Sequence, residues 1–171
     1  MLMLPKEVTA IMNKITKKLK GLYSWQQNSK TPHISIKYLG LHKNYSKKYI
    51  IKLLPEIKEI SKKILPIKLN IKGIKINEVP KSDKLDVFIL IKKDKKIQAL
   101  HNQIKNKLRS RIDHFSDWEG KNFLPHITVL SANKIHIKEI KKKIKILKIN
   151  IKPIIAKKIA LHIKKKIIYI I

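Results

Sequence analysis

A histidine followed at the second position by a hydroxyl occurs twice in this chain in nearly the same setting: Pro32-His33-Ile34-Ser35 and Pro125-His126-Ile127-Thr128. Side chains on a β-strand alternate between faces, so His33 and Ser35 should point one way, and His126 and Thr128 likewise. If the two strands lie side by side, two imidazoles and two hydroxyls converge. That set suits hydrolysis of a phosphodiester without a metal. One group takes a proton from the attacking oxygen, another returns a proton to the leaving oxygen, and neutral donors hold the phosphoryl oxygens. Histidine serves on either side because its charge changes near neutral pH. A single His-x-Ser in a chain rich in lysine and isoleucine carries little information, and a lone strand histidine is more often structural. Here both copies have proline before the histidine and isoleucine after it, and they stand 93 residues apart, about one half of a duplicated domain.

The elements that must position these groups follow from periodicity. Leu4, Val8, Ile11, Ile15, Leu19 and Leu22 recur at helical spacing and predict a helix from Pro5 to about Gly21. Tyr23 and Trp25 fall in a polar loop, where they could stack on a base or cap the core. A strand over 32–38 puts His33, Ser35 and Lys37 on one face and Ile34, Ile36 and Tyr38 on the other; Lys37 could extend a phosphate site. A helical pattern runs from about Ser46 to Ile64, kinked or restarted by Pro55. Strands are expected from Ile67, with a bulge at Gly73, and over Leu85–Ile91, then a helix over 94–111 with His101 packed or on the surface. The loop Asp113–Gly120 holds an unusual share of the acids and aromatics and borders the second motif, so Trp118 or Phe123 could face a base. Strand 124–130, a basic helix near 136–145 and strands near 147–153, 157–163 and 166–171 complete the pattern. Asn70-Ile71-Lys72-Gly73-Ile74 is echoed by Asn150-Ile151-Lys152-Pro153-Ile154. With the motifs, this suggests α+β architecture in two strand-helix-strand-helix-strand halves, each giving one histidine strand to a shared cleft.

The paired motifs resemble the 2H phosphoesterase superfamily, in particular its branch of RNA 2′,3′-cyclic phosphodiesterases, also called 2′-5′ RNA ligases. His33-Ile34-Ser35-Ile36-Lys37-Tyr38-Leu39-Gly40 is similar to that branch's first motif, and Phe123-Leu124-Pro125-His126-Ile127-Thr128 to its second, including the phenylalanine. The rest of the chain matches in element order and length. The resemblance implies one two-lobed domain over residues 1–171, with duplicated β-α-β-α-β halves forming two antiparallel sheet lobes around a central cleft. It also implies a catalytic set of His33, His126, Ser35 and Thr128. His126 is expected to activate water and His33 to protonate the leaving oxygen, the near-symmetry of the halves leaving the reverse order open. Lys37, Phe123, Trp118 and Tyr38 are the candidate substrate contacts. The implied reaction opens 2′,3′-cyclic phosphate ends of RNA or nucleotides to 2′-phosphates. Two alternatives stand beside it: the same site acting on 2′-5′ or cyclic oligonucleotide signals, and a basic RNA-binding module with inert histidines. One departure is that many bacterial members have arginine three residues after the second hydroxyl, where this chain has Ser131. That position bears on the binding of a longer RNA or of a particular terminal group.

Composition sets the remaining bounds. At 171 residues the chain can bury about 70% of its unfolded surface, enough for one domain. Cysteine is absent, which removes disulfides and thiolate metal sites and is compatible with a reducing cytoplasm. Neither motif brings Asp, Glu or Cys at ligand spacing, so no metal site and no cofactor are expected. No apolar run approaches the ~20 residues of a membrane span, and the first residues do not read as a secretory signal. A cytoplasmic monomer acting on RNA or nucleotides, without a membrane partner, is the expectation. The net charge of +30 admits a polyanionic substrate. It also has a duller source: lysine, isoleucine and asparagine have A/T-rich codons, and Arg109 and Arg111 are the only arginines.

Overall fold

The two histidine motifs fold into strands of different sheets, and prolines decide where those strands start and stop. In the computed structural model the described residues are 1–37, 47–108, 122–147, 149, 152–163 and 166–171. The chain runs β1 (Leu2–Met3), α1 (Glu7–Lys18), β2 (Trp25–Gln26), β3 (His33–Ile34), α2 (Lys47–Lys52), α3 (Leu54–Ile64), β4 (Ile67–Leu69), β5 (Ile71–Glu78), β6 (Lys84–Ile91), α4 (Lys95–Leu108), β7 (His126–Asn133), α5 (Ile137–Lys145), β8 (Ile154–Ala156), β9 (Lys158–Ile163) and β10 (Lys166–Tyr169). One antiparallel sheet has the order β10-β9-β1-β3 and the other β2-β7-β6-β5, with β4 and β8 paired apart from both. The architecture is the expected α+β arrangement with antiparallel sheets. Each large sheet takes strands from distant parts of the chain: β1 and β3 join β9 and β10, while β2 joins β5 to β7.

β1 is only two residues long because Pro5 has no N–H to continue a ladder and is preset for the start of a helix. β3 therefore pairs only as Met3↔His33 and Leu2↔Ile34, shorter than the strand 32–38 expected from alternation. The alternation itself holds beyond the ladder, with Ile34 and Ile36 buried, His33 and Lys37 half-buried and Ser35 exposed. Pro55 restarts rather than kinks its helix, sitting in the first turn of α3 after α2 ends at Lys52. At Gly73 the β5/β6 register shifts, as the change of apolar parity suggested, and the glycine takes φ +148° there. Of the strand expected near 147–153, residues 148, 150 and 151 lie outside the described residues. β8 begins at Ile154, directly after Pro153, which has no N–H to give.

The core lies between the helices and the inner sheet faces. Val8, Met12 and Ile15 of α1 with Leu19 at its C-cap, Ile97, Leu100, Ile104 and Leu108 of α4, and Ile140 of α5 are buried with Leu85, Val87, Ile89 and Ile91 of β6 and Ile127 and Val129 of β7. α4 begins where the Asp94 carboxylate accepts from the Ile97 N–H at 3.0 Å, an N-cap bond. Among the described residues no helix is long and apolar enough to cross a membrane.

Candidate active site

The residue before a proline is driven to extended backbone. In both motifs this directs a carbonyl at the histidine that follows. His33 Nδ1 donates to the Thr31 carbonyl at 3.0 Å, and His126 Nδ1 donates to the Leu124 carbonyl at 2.7 Å. A carbonyl only accepts, so the proton of each neutral ring sits on Nδ1, and Nε2 is left as the basic nitrogen. The two prolines are buried, and their carbonyls are tied symmetrically, Leu4 N–H to Pro32 and Ile91 N–H to Pro125, each at 3.0 Å. One local device, Pro-His, thus fixes the same tautomer and the same exit direction twice.

β3 packs beside β7. The charge of a protonated His126 is felt at His33. Burial lowers the pKa of both imidazoles below the usual 6.5. Their surroundings then diverge. At His33 the Thr31 carbonyl opposes the shift, while the charge that the Met1 amino group, His162 or His126 carries when protonated adds to it. At His126 both the Leu124 carbonyl and the Asp86 carboxylate oppose it. Gln27, buried beside β7 through its N–H to the Val129 carbonyl, places its carboxamide 3.3 Å from His33 Nδ1.

Directly opposed residues of an antiparallel pair share a face. Phe88 is opposite Thr128, and its ring lies 4.1 Å from that of His126, so Phe88, Thr128 and His126 form one surface. Ser35, exposed, and Lys37, half-buried, follow β3, and Thr128 is half-buried on β7. Phe123 does not face this surface. It is 5% exposed and stacks on His101 with ring centroids 4.1 Å apart and 2° between planes. His101 donates from Nδ1 to the Ile36 carbonyl at 2.6 Å. The stack therefore ties the end of the first motif to the entry of the second, and Phe123 is a packing residue rather than a substrate contact. Tyr38, Trp118 and the acidic-aromatic loop Asp113–Gly120 lie outside the described residues. Among the described residues no three His, Cys, Asp or Glu side chains gather as a metal site would require.

Sequence reasoning missed Gln27, Asp86 and Phe88. Asp86 and Phe88 lie in the apolar run that predicts only a strand over Leu85–Ile91, and Gln27 in the polar stretch that predicts a loop. Trp25 was read as a loop residue too, but it pairs with Ser131 at the start of β2. Ser131 in turn donates a hydrogen bond to Asp86.

A family model, the AKAP7 2′5′ RNA ligase-like domain, matches residues 2–166. The chain belongs to that family. It is therefore a member of the 2H phosphoesterase superfamily. The crystal structure of TT0787 of Thermus thermophilus is similar over 98% of this chain and 91% of its own, with a TM-score of 0.56 at 15% identity, a likeness of fold. No curated protein matches. In this 2H phosphoesterase-like chain, both motifs lie within the matched residues.

Proposed function

We propose that this chain is a phosphodiesterase that opens 2′,3′-cyclic phosphates at RNA ends or on nucleotides, leaving a 2′-phosphate. The observation that carries the reading is the pair of motif histidines on neighbouring strands, each anchored at Nδ1 by the carbonyl two residues before it. Anchoring fixes the ring without using the nitrogen that must exchange a proton. In the reaction, water attacks phosphorus and its proton passes to one Nε2. The P–O3′ bond breaks, and the second imidazolium delivers its proton to O3′. Ser35 and Thr128 donate hydrogen bonds to the non-bridging oxygens, and Lys37 supplies positive charge to the same group.

Electrostatics argues for the reverse of the order expected from the resemblance. Asp86 favours protonated His126, and the charge of a protonated His126 in turn favours neutral His33. We assign His33 as base and His126 as acid. A product assay with the four nucleoside 2′,3′-cyclic phosphates, a cyclic-phosphate-ended RNA, a 2′-5′-linked dinucleotide and a cyclic dinucleotide tests the reading. Release of 2′-phosphates from the cyclic phosphates supports it. Turnover of the last two substrates alone would favour an oligonucleotide signal. If wild type binds RNA and turns over nothing in the panel, a binding module replaces the enzyme.

A further inference from the structure

The sheet that carries His126 also carries a row of side chains that the two-histidine chemistry does not use. Trp25 of β2 is opposite Ser131 of β7, Ser131 is opposite Asp86 of β6, and Asp86 is opposite Asn77 of β5. The four positions form one line across all four strands. Asp86 is two residues from Phe88 on the same strand, so the line shares the face of Phe88, Thr128 and His126. A register shift in β7 between the partners of Val87 and Phe88 turns Ser131, rather than Leu130, onto that face. Leu130 is fully buried and Ser131 is half-exposed, as this requires.

The row lies about 7 Å beyond the Thr128–Phe88 pair along the strands. That is the direction and scale of a nucleoside extending from a phosphate held at the histidines. Its chemistry is of one kind. Trp25 is 51% exposed and offers an aromatic face. Asp86 is half-buried, and an ionised carboxylate only accepts; Ser131 takes up one position at Oδ1 and leaves acceptor capacity on the carboxylate. Asn77, half-buried beside it, has an amide that can donate. Stacking surface, carboxylate acceptor and amide donor match a base with two adjacent N–H donors next to a carbonyl.

We propose that the row Trp25, Asp86 and Asn77 is a base-reading subsite selective for guanine, with N1–H and N2–H given to Asp86 and O6 accepting from Asn77. The subsite deepens the cyclic-phosphodiesterase reading and rests on it for the placement of the phosphate, but its test needs no turnover. Affinities of the full chain for the four nucleoside 2′-phosphates are measured by titration calorimetry. Wild type should bind the guanosine compound about 10- to 100-fold more tightly than the uridine one, the span a good bidentate contact gives. Asp86→Asn keeps the size and the acceptor for Ser131, and should bring the guanine-to-uracil ratio near unity, a ratio from which any change at His126 common to all four ligands cancels. Asn77→Ala, on an edge strand, should lower the ratio by a smaller factor, and Trp25→Ala should weaken all four ligands together. Equal affinities in wild type, preference for another base, or an equal loss for all four in Asp86→Asn would overturn the subsite. Guanine preference in binding with no hydrolysis of any cyclic phosphate would uphold the subsite and reject the reaction.

Discussion

A carbonyl acceptor at each Nδ1 makes the two histidines alike in orientation, and the charges around them make them unlike in proton affinity. If they form one proton-transfer cycle, His33→Ala and His126→Ala should each lower kcat by about 10² to 10⁴ while leaving RNA affinity near wild type. The double variant should be little worse than the poorer single one, because a step deprived of its acid gains little from its base. Single-turnover rates beside binding isotherms check this. Burial holds both imidazoles below the usual 6.5, so the pH profile of kcat/KM should be bell-shaped with its maximum on the acidic side of that value. A plateau extending above pH 8 would contradict it. Chelators should leave the rate unchanged, as read by the same assay with EDTA. The linkage to stability has a definite sign. Below about 6.5 the unfolded chain takes up protons on these rings that the fold resists, so stability should fall as pH drops through that region. Replacing His126 by glutamine should flatten the fall in denaturant titrations against pH.

At the scale of elements, much was legible because the physical signals were local. The α1 and α4 stripes, the bulge at Gly73 and the alternation through His33, Ile34, Ser35 and Ile36 can all be read from neighbours in the chain, and the helices and strands form close to where these place them. What was not legible depends on partners distant in sequence. β3 is short because β1 is short, and Trp25 becomes a strand residue because β7 offers it a free edge. Phe123 is the clearest case. Its position in a family motif and beside a polar loop suggested a substrate contact, but nothing local could show that His101 would stack on it. Phe123→Ala should therefore cost about 3–5 kcal/mol of stability, the range for deleting a buried aromatic ring. The measurement is a urea titration. Michaelis constants for small cyclic nucleotides, measured well below the transition, should change little.

For the whole molecule, the charge of +30 must act on the fold as well as on ligands. Most described lysines are exposed, and the ion pairs among the described residues are surface contacts such as Lys143–Glu139 at 2.8 Å and Lys62–Glu59 at 3.7 Å. Such pairs contribute little, and self-repulsion among like charges is long-ranged at low salt. Raising ionic strength from about 0.01 to 0.15 M shortens the screening length from about 30 to 8 Å, so Tm should rise with added sodium chloride. RNA affinity should fall over the same range, since counterion release drives it. A Tm that is flat or decreasing with salt would show that the lysines are already spaced to neutralise the problem.

The two strands that hold the motif histidines are anchored very unequally. β7 is eight residues long and has ladders on both sides, to β6 and β2, whereas β3 is an edge strand held by a two-residue ladder to β1. Local opening takes the weakly held segment first. Amide hydrogens at His33 and Ile34 should exchange much faster than those of Ile127 to Leu130, and moderate warming should release His33 from its partner while the β5–β6–β7 core is still intact. Activity would then decline reversibly several degrees before the calorimetric transition, with the temperature of half-activity set by two residues of strand pairing rather than by the hydrophobic core.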